Sequence, residues 1–158
     1  MSSKIDQLII SRQRVTQKGP TAWLQAGSPH TLFTIVGGPV WIKGLIAYAN
    51  VATGAASTFA ITCCGVAMQN AAVVCNLLIG EMAIWPLQTG AGFIIIPNVA
   101  ASAMPTIAAG VAGNTGVVAS PGAAGGSTIG LTVGAADMVG AATWYVIYYA
   151  IDPAAAII

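Results

Sequence analysis

The sequence predicts an all-β fold: a β-sandwich or jelly-roll-like body over residues 27–158, preceded by an extended N-terminal arm over residues 1–26. Three observations predict it. Short apolar or alternating runs recur along the chain and are bounded by Gly, Pro or Asn, which is the punctuation of strands and turns. Glycine, at 19 of 158 residues, falls too often for long helices. The clearest run, 143–151, consists almost wholly of β-branched and aromatic residues, the types that fit a pleated surface.

In chain order, the arm carries Ser2-Ser3, Gln13, Gln17 and Lys18-Gly19-Pro20, a composition with no core of its own. A short helix over 4–13 is the one alternative there. Residues 32–36 read as a strand and Gly37-Gly38-Pro39 as a turn, glycine supplying positive φ and proline being excluded from a central ladder. Residues 40–51 read as a second strand. Simple alternation puts Val40, Ile42, Ile46 and Tyr48 on one side and Trp41, Lys43, Leu45 and Ala47 on the other. Neither side is polar, which is unusual for an antiparallel sheet with one wet face. Strands follow at 58–68, 73–80, 82–85 and 93–97. Residues 100–127 read as long loops with one strand, and 128–133 alternates cleanly between Thr or Gly and Ile, Leu or Val. The alanine-rich runs 66–74 and 100–109 leave room for one helical turn.

Composition is the anomaly. Charged residues make up 6% of the chain and hydrophobic residues 56%, with a mean hydropathy of +0.81. An ordinary soluble domain is about 25% charged. Four of the five cations, Lys4, Arg12, Arg14 and Lys18, lie in the first 18 residues. Beyond them the charges are Lys43, Glu81, Asp137 and Asp152 alone. A small basic arm therefore precedes a nearly neutral body. Three net positive charges fall short of the basic stripe that nucleic-acid binding requires. A membrane span needs about 20 mostly apolar residues. The uncharged stretches 44–80 and 82–136 are long enough but broken by Asn, Thr, Gly and Pro, and the apolar block 138–151 is too short. With no flanking cation anchors, no membrane partner is expected. The N-terminus lacks the apolar run of a signal peptide, because Arg12, Arg14 and Lys18 follow Leu8-Ile9-Ile10.

The inventory for chemistry is thin. His30 is the single histidine, and the three carboxylates of the body are far apart in sequence. General acid–base or nucleophilic catalysis needs groups placed to meet, so no enzyme is expected, and His30 reads as a turn or interface hydrogen-bonder. Cys63, Cys64 and Cys75 have neither disulfide-framework nor zinc spacing and read as reduced, small hydrophobes. No metal and no cofactor are expected. Gly125-Gly126-Ser127-Thr128 lacks the lysine of a phosphate loop and reads as a turn. Trp41, Trp85, Trp144, Tyr145, Tyr148 and Tyr149 admit two readings, a sugar-binding platform or a strand using both faces for packing. The second is favoured, since the aromatics of 144–149 alternate with Val146 and Ile147 rather than with polar groups.

A soluble monomer keeps its surface charged; a body with four charges is expected to hide surface by assembly. Two stretches agree. "HTLFTIVGGPVWIKGLIAYANV" (30–51) and "ATWYVIYYAIDPAAAII" (142–158) resemble the two ends of a group of small structural proteins of tailed bacteriophages. There a strand–turn–strand opens the body, matched here by Leu32, Phe33, Thr34, Gly37, Gly38 and Pro39. A tryptophan-led aromatic strand with a following aspartate closes it, matched by Trp144, Tyr149 and Asp152. The middle, 50–140, has no match. The resemblance implies a β-rich virion protein: a head decoration (cement) protein on the capsid exterior, assembled in the host cytoplasm, often as a homotrimer bracing the major capsid protein. On that reading Arg12, Arg14, Lys18, Trp23, Trp41, Lys43, Trp144 and Tyr148 are the candidate contacts with the capsid or a neighbouring subunit. Independently of the resemblance, the isolated charges of the body either face water or pair, Lys43 with Glu81 or Asp137, within or between subunits. The alternative is a host-surface or carbohydrate-binding virion module of the tail or fibre; a membrane-associated protein comes third.

Overall fold

The computed structural model describes residues 13–22, 29–54, 57–68, 73–85, 94–96, 106–107, 117–122, 126–134 and 139–158. Among them there are thirteen strands and no helix. The strands are β1 (Gln13–Ala22), β2 (Pro29–Val36), β3 (Val40–Val51), β4 (Ser57–Cys63), β5 (Val66–Ala67), β6 (Val73–Cys75), β7 (Met82–Trp85), β8 (Ile94–Ile96), β9 (Thr106–Ile107), β10 (Val117–Ala119), β11 (Thr128–Val133), β12 (Ala141–Ala150) and β13 (Ala156–Ile157).

They form two antiparallel sheets. The larger runs β1-β12-β3-β7-β8-β9 with β10 beside β3; the smaller runs β13-β2-β11-β4-β5 with β6 beside β4. The pairings are nested: β4 with β5, β3 with β7, β2 with β11, β1 with β12. Folding such a nested ribbon over itself yields the eight-stranded jelly roll, with β8, β9 and β10 added along the far side of the larger sheet. The expected β-sandwich is what the chain forms.

The core lies between the sheets. Phe59 of β4, Trp85 of β7 and Trp144 of β12 meet there. The indole rings of Trp85 and Trp144 stack with centroids 5.9 Å apart, and Phe59 lies 5.9 Å from Trp85. The central strand makes room for them: Ala47 and Ala49 of β3 are fully buried, and Ala47 stands between Trp144 and Ala83 in register. Large side chains on the flanking strands thus close over small ones on the middle strand, the alternation by which facing layers interdigitate.

Strand β3 departs from the alternation expected for it. Opposite β12 it carries one extra residue at Lys43, between Gly44 (paired with Ile147) and Ile42 (paired with Tyr148), and another at Asn50. A bulge shifts the side-chain phase. Val40 and Ile42 point inward, and so do Leu45, Ala47 and Ala49 beyond the bulge; Trp41, Lys43, Ile46 and Tyr48 point outward. Two further expectations are corrected. The 58–68 run is a hairpin, turning at Cys64-Gly65, where both residues have positive φ. Of the 100–127 region, the described residues hold two short strands, β9 and β10, rather than one.

The largest correction concerns the arm. Residues 13–22 are the first strand of the jelly roll and pair with β12 from Gln13↔Tyr149 to Ala22↔Ala141. Their inward side chains reach the opposite sheet and close that side of the sandwich. Arg14 Nη1 donates to the Ala155 carbonyl (2.7 Å) and Thr16 Oγ1 to the Ile157 carbonyl (2.8 Å). The Ile157 N–H donates to the Tyr148 hydroxyl (3.2 Å). Strand β13 pairs with β2 through the Thr34–Ile158 exchange, so Ile157 directs its own N–H and C=O outward. An open sheet edge normally leaves such groups unpaired; here the Tyr148 and Thr16 hydroxyls of the facing sheet satisfy them, and Arg14 does the same for the Ala155 carbonyl. The expected helix over 4–13 lies, up to residue 12, outside the described residues.

Candidate interaction surface

The eight candidate contact residues fall into three groups. Arg12 and Trp23 lie outside the described residues. Arg14, Lys18, Trp144 and Tyr148 face the interior side of the larger sheet. Trp144 and Tyr148 are 2% exposed, Arg14 binds the Ala155 carbonyl, and Lys18 Nζ donates to the Thr31 carbonyl (3.3 Å). Trp144 and Tyr148 are therefore corrected from contact residues to core residues, because β12 turns its even-numbered side chains toward the second sheet. Trp41 and Lys43 stand on the outer face of the larger sheet.

That outer face is the distinctive surface. Register places Trp41, Ile46 and Tyr48 of β3, Ile84 of β7, and Tyr145, Ile147 and Tyr149 of β12 on it together. Most are half-buried by one another, while Val15 of β1 is 59% exposed and Val118 of β10 67% exposed. Among the described strand residues, Lys43 is the one charge on this face. The bulge sets it there, with its ammonium 4.3 Å from the centroid of the Trp41 ring, a cation–π contact. Trp41 is tilted against Tyr149 at 5.5 Å, and the Tyr149 hydroxyl donates to Gln13 Oε1 (3.4 Å). Gln13 and Gln17, paired with Tyr149 and Tyr145, give the face a polar margin along β1. An uncharged aromatic and aliphatic centre with a polar rim is the anatomy of a protein interface.

The outer face of the smaller sheet is different. Thr31 and Thr34 of β2, Thr58 and Thr62 of β4, and Thr128 and Thr132 of β11 occupy it, while Phe33, Phe59, Ile61, Ile129 and Leu131 point inward. This is the ordinary apolar-in, polar-out pattern of a wet antiparallel sheet. The two outer faces therefore differ in polarity: one is lined by threonine, the other by aromatic and aliphatic side chains. A second apolar surface lies at one end of the sandwich, where Val51, Leu78, Ile79 and Val139 are all at least half exposed. Their loops are tied by Thr53 N–H to the Leu77 carbonyl and Val139 N–H to the Thr53 carbonyl.

The sugar-platform reading loses most of its residues. Trp85, Trp144 and Tyr148 are buried in the core, and on the outer face the Trp41 ring is occupied by Lys43. Glu81, considered as a partner of Lys43, accepts from the Leu78 N–H (2.8 Å) in its own turn; Asp137 lies outside the described residues. His30 sits on β2 with Nε2 buried and unmatched among the described residues. Cys63 is buried and free, and burial first, then the neighbouring Cys64, pushes its thiol up to about 12; a thiol so held is an inert core group. Among the described residues no three His, Cys, Asp or Glu side chains gather into a metal site, and no helix is long and apolar enough to cross a membrane.

No family model, no curated protein and no solved structure matches this chain.

Proposed function

We propose that the chain is a non-enzymatic virion structural subunit: a head decoration protein that binds the major capsid protein on the outside of a phage capsid, in company with copies of itself. The observation that carries this reading is the outer face of the larger sheet, on which Lys43 is the one charged residue among the described strands, opposite a threonine face that water can wet; surface so poor in charge is hidden by assembly. Exposed apolar patches of this size mark interaction sites on soluble proteins. Two further supports are by analogy. The jelly roll is an architecture that capsid proteins use, though a fold alone does not specify function, and the resemblance of 30–51 and 142–158 points to phage structural proteins.

Capsids assembled without the protein provide the test. Purified chain is mixed with them and pelleted, and the bound mass and the capsids' resistance to heat or low salt are measured. Saturable binding with a raised disruption temperature is expected. Absence of the chain from the pellet at micromolar concentration would rule the reading out.

A further inference from the structure

We infer that the outer face of the larger sheet is covered by a second copy of this chain, and not by the capsid lattice. The inference rests on the assembly reading above and assigns this face its occupant. Three arguments select a copy.

The first is area. About forty residues of β1, β3, β7, β10 and β12 form this part of the sheet. With a rise of about 3.3 Å and a strand spacing of about 4.8 Å, each covers about 16 Å², giving about 600 Å² per chain. Two chains contribute about 1,200 Å², the lower end of a standard stable interface.

The second is charge. A face that meets its own kind must avoid like-charge contacts. This one holds a single charged strand residue, Lys43, set opposite Ile147 by the bulge and already laid over Trp41, so only one pair of like charges has to be kept apart when two copies meet.

The third is availability. A lattice partner exists only once a lattice has formed, whereas a copy is present from the first molecules made. A naked apolar face of this size is an aggregation liability in the interval, and self-association removes it at once.

The test is sedimentation equilibrium of the full chain without capsids, for wild type, Ile147→Lys and Ile46→Lys. The expected result is a discrete wild-type oligomer and lysine variants whose association is at least a hundredfold weaker. Their near-ultraviolet circular dichroism should keep the signal of the Trp85–Trp144 stack. Should a lysine variant fail to fold, Ile147→Ser supplies the same comparison with a milder change. A monomeric wild type, or variants that keep the wild-type mass, would overturn the inference. Capsid pelleting in parallel separates the two claims. A monomer that still binds capsids defeats this inference and leaves the decoration reading standing; an oligomer that ignores capsids does the reverse.

Discussion

Tyr148 shows how a residue changes meaning between sequence and structure. In sequence, 144–149 is apolar on both faces of its strand, so nothing in the alternation says which set faces inward. The pairing of β12 between β1 and β3 decides it, and the Tyr148 hydroxyl becomes the acceptor for a buried N–H at Ile157. Tyr148→Phe keeps the ring and removes the acceptor. An orphaned buried N–H costs about 1–3 kcal/mol, so an unfolding free energy lowered by that amount in urea titrations is expected, with no change in oligomer mass. Cys63 gives a second prediction at this scale. Its thiol is pushed up to about 12 by burial, above the value of about 8.5 for a free thiol. The folded state therefore holds its proton after the unfolded state has lost it. This contribution is fully present below about pH 8.5 and is lost as pH rises toward 12. Wild type should lose stability over that window more steeply than Cys63→Ala, as read by denaturant titrations at stepped pH.

At the scale of elements, the strands of 32–36, 40–51, 82–85, 128–133 and 143–151 were legible because local signals agree with tertiary pairing there. What escaped was phase and partnership. A bulge is set by what the neighbouring strand needs, so the extra residue at Lys43 left no mark in the alternation of β3. The arm hid its strand for a similar reason: β1 is polar, being exposed on most of its length, and its reason to be a strand is β12. Deleting 2–20 strips the edge of β12 and the Arg14 and Thr16 bonds, so the cooperative transition should be lost. The turn at Gly37-Gly38 is as demanding. Gly37 has φ +72, and a Cβ there would overlap the Ala154 carbonyl, while one on Gly38 would meet Asp152. Gly37→Ala is expected to destabilise by more than about 1 kcal/mol in thermal or urea melts. This turn and the tail it abuts are the two stretches that carried the phage resemblance; in the fold they touch, with Ile151 N–H on the Pro39 carbonyl.

For the whole molecule, low charge was readable from composition alone, and it raised the question of where surface is hidden. The sequence could not answer it, because Trp41 and Trp144 look alike as residues in apolar strands; one is placed outward by a bulge, the other inward against Trp85. The distribution of polarity over two faces exists only after folding. The nested strand pairing has a further consequence, in time rather than space. Strand β1 finds its neighbour β12 about 130 residues later in the chain, and at roughly 5–20 residues per second a ribosome takes on the order of ten seconds to supply it. Through that interval the earliest strand waits without its partner. The Arg14 and Lys18 side chains, which end as clasps between the sheets, begin as charged guards on a nascent strand, where cations on an unpaired edge discourage the wrong neighbour.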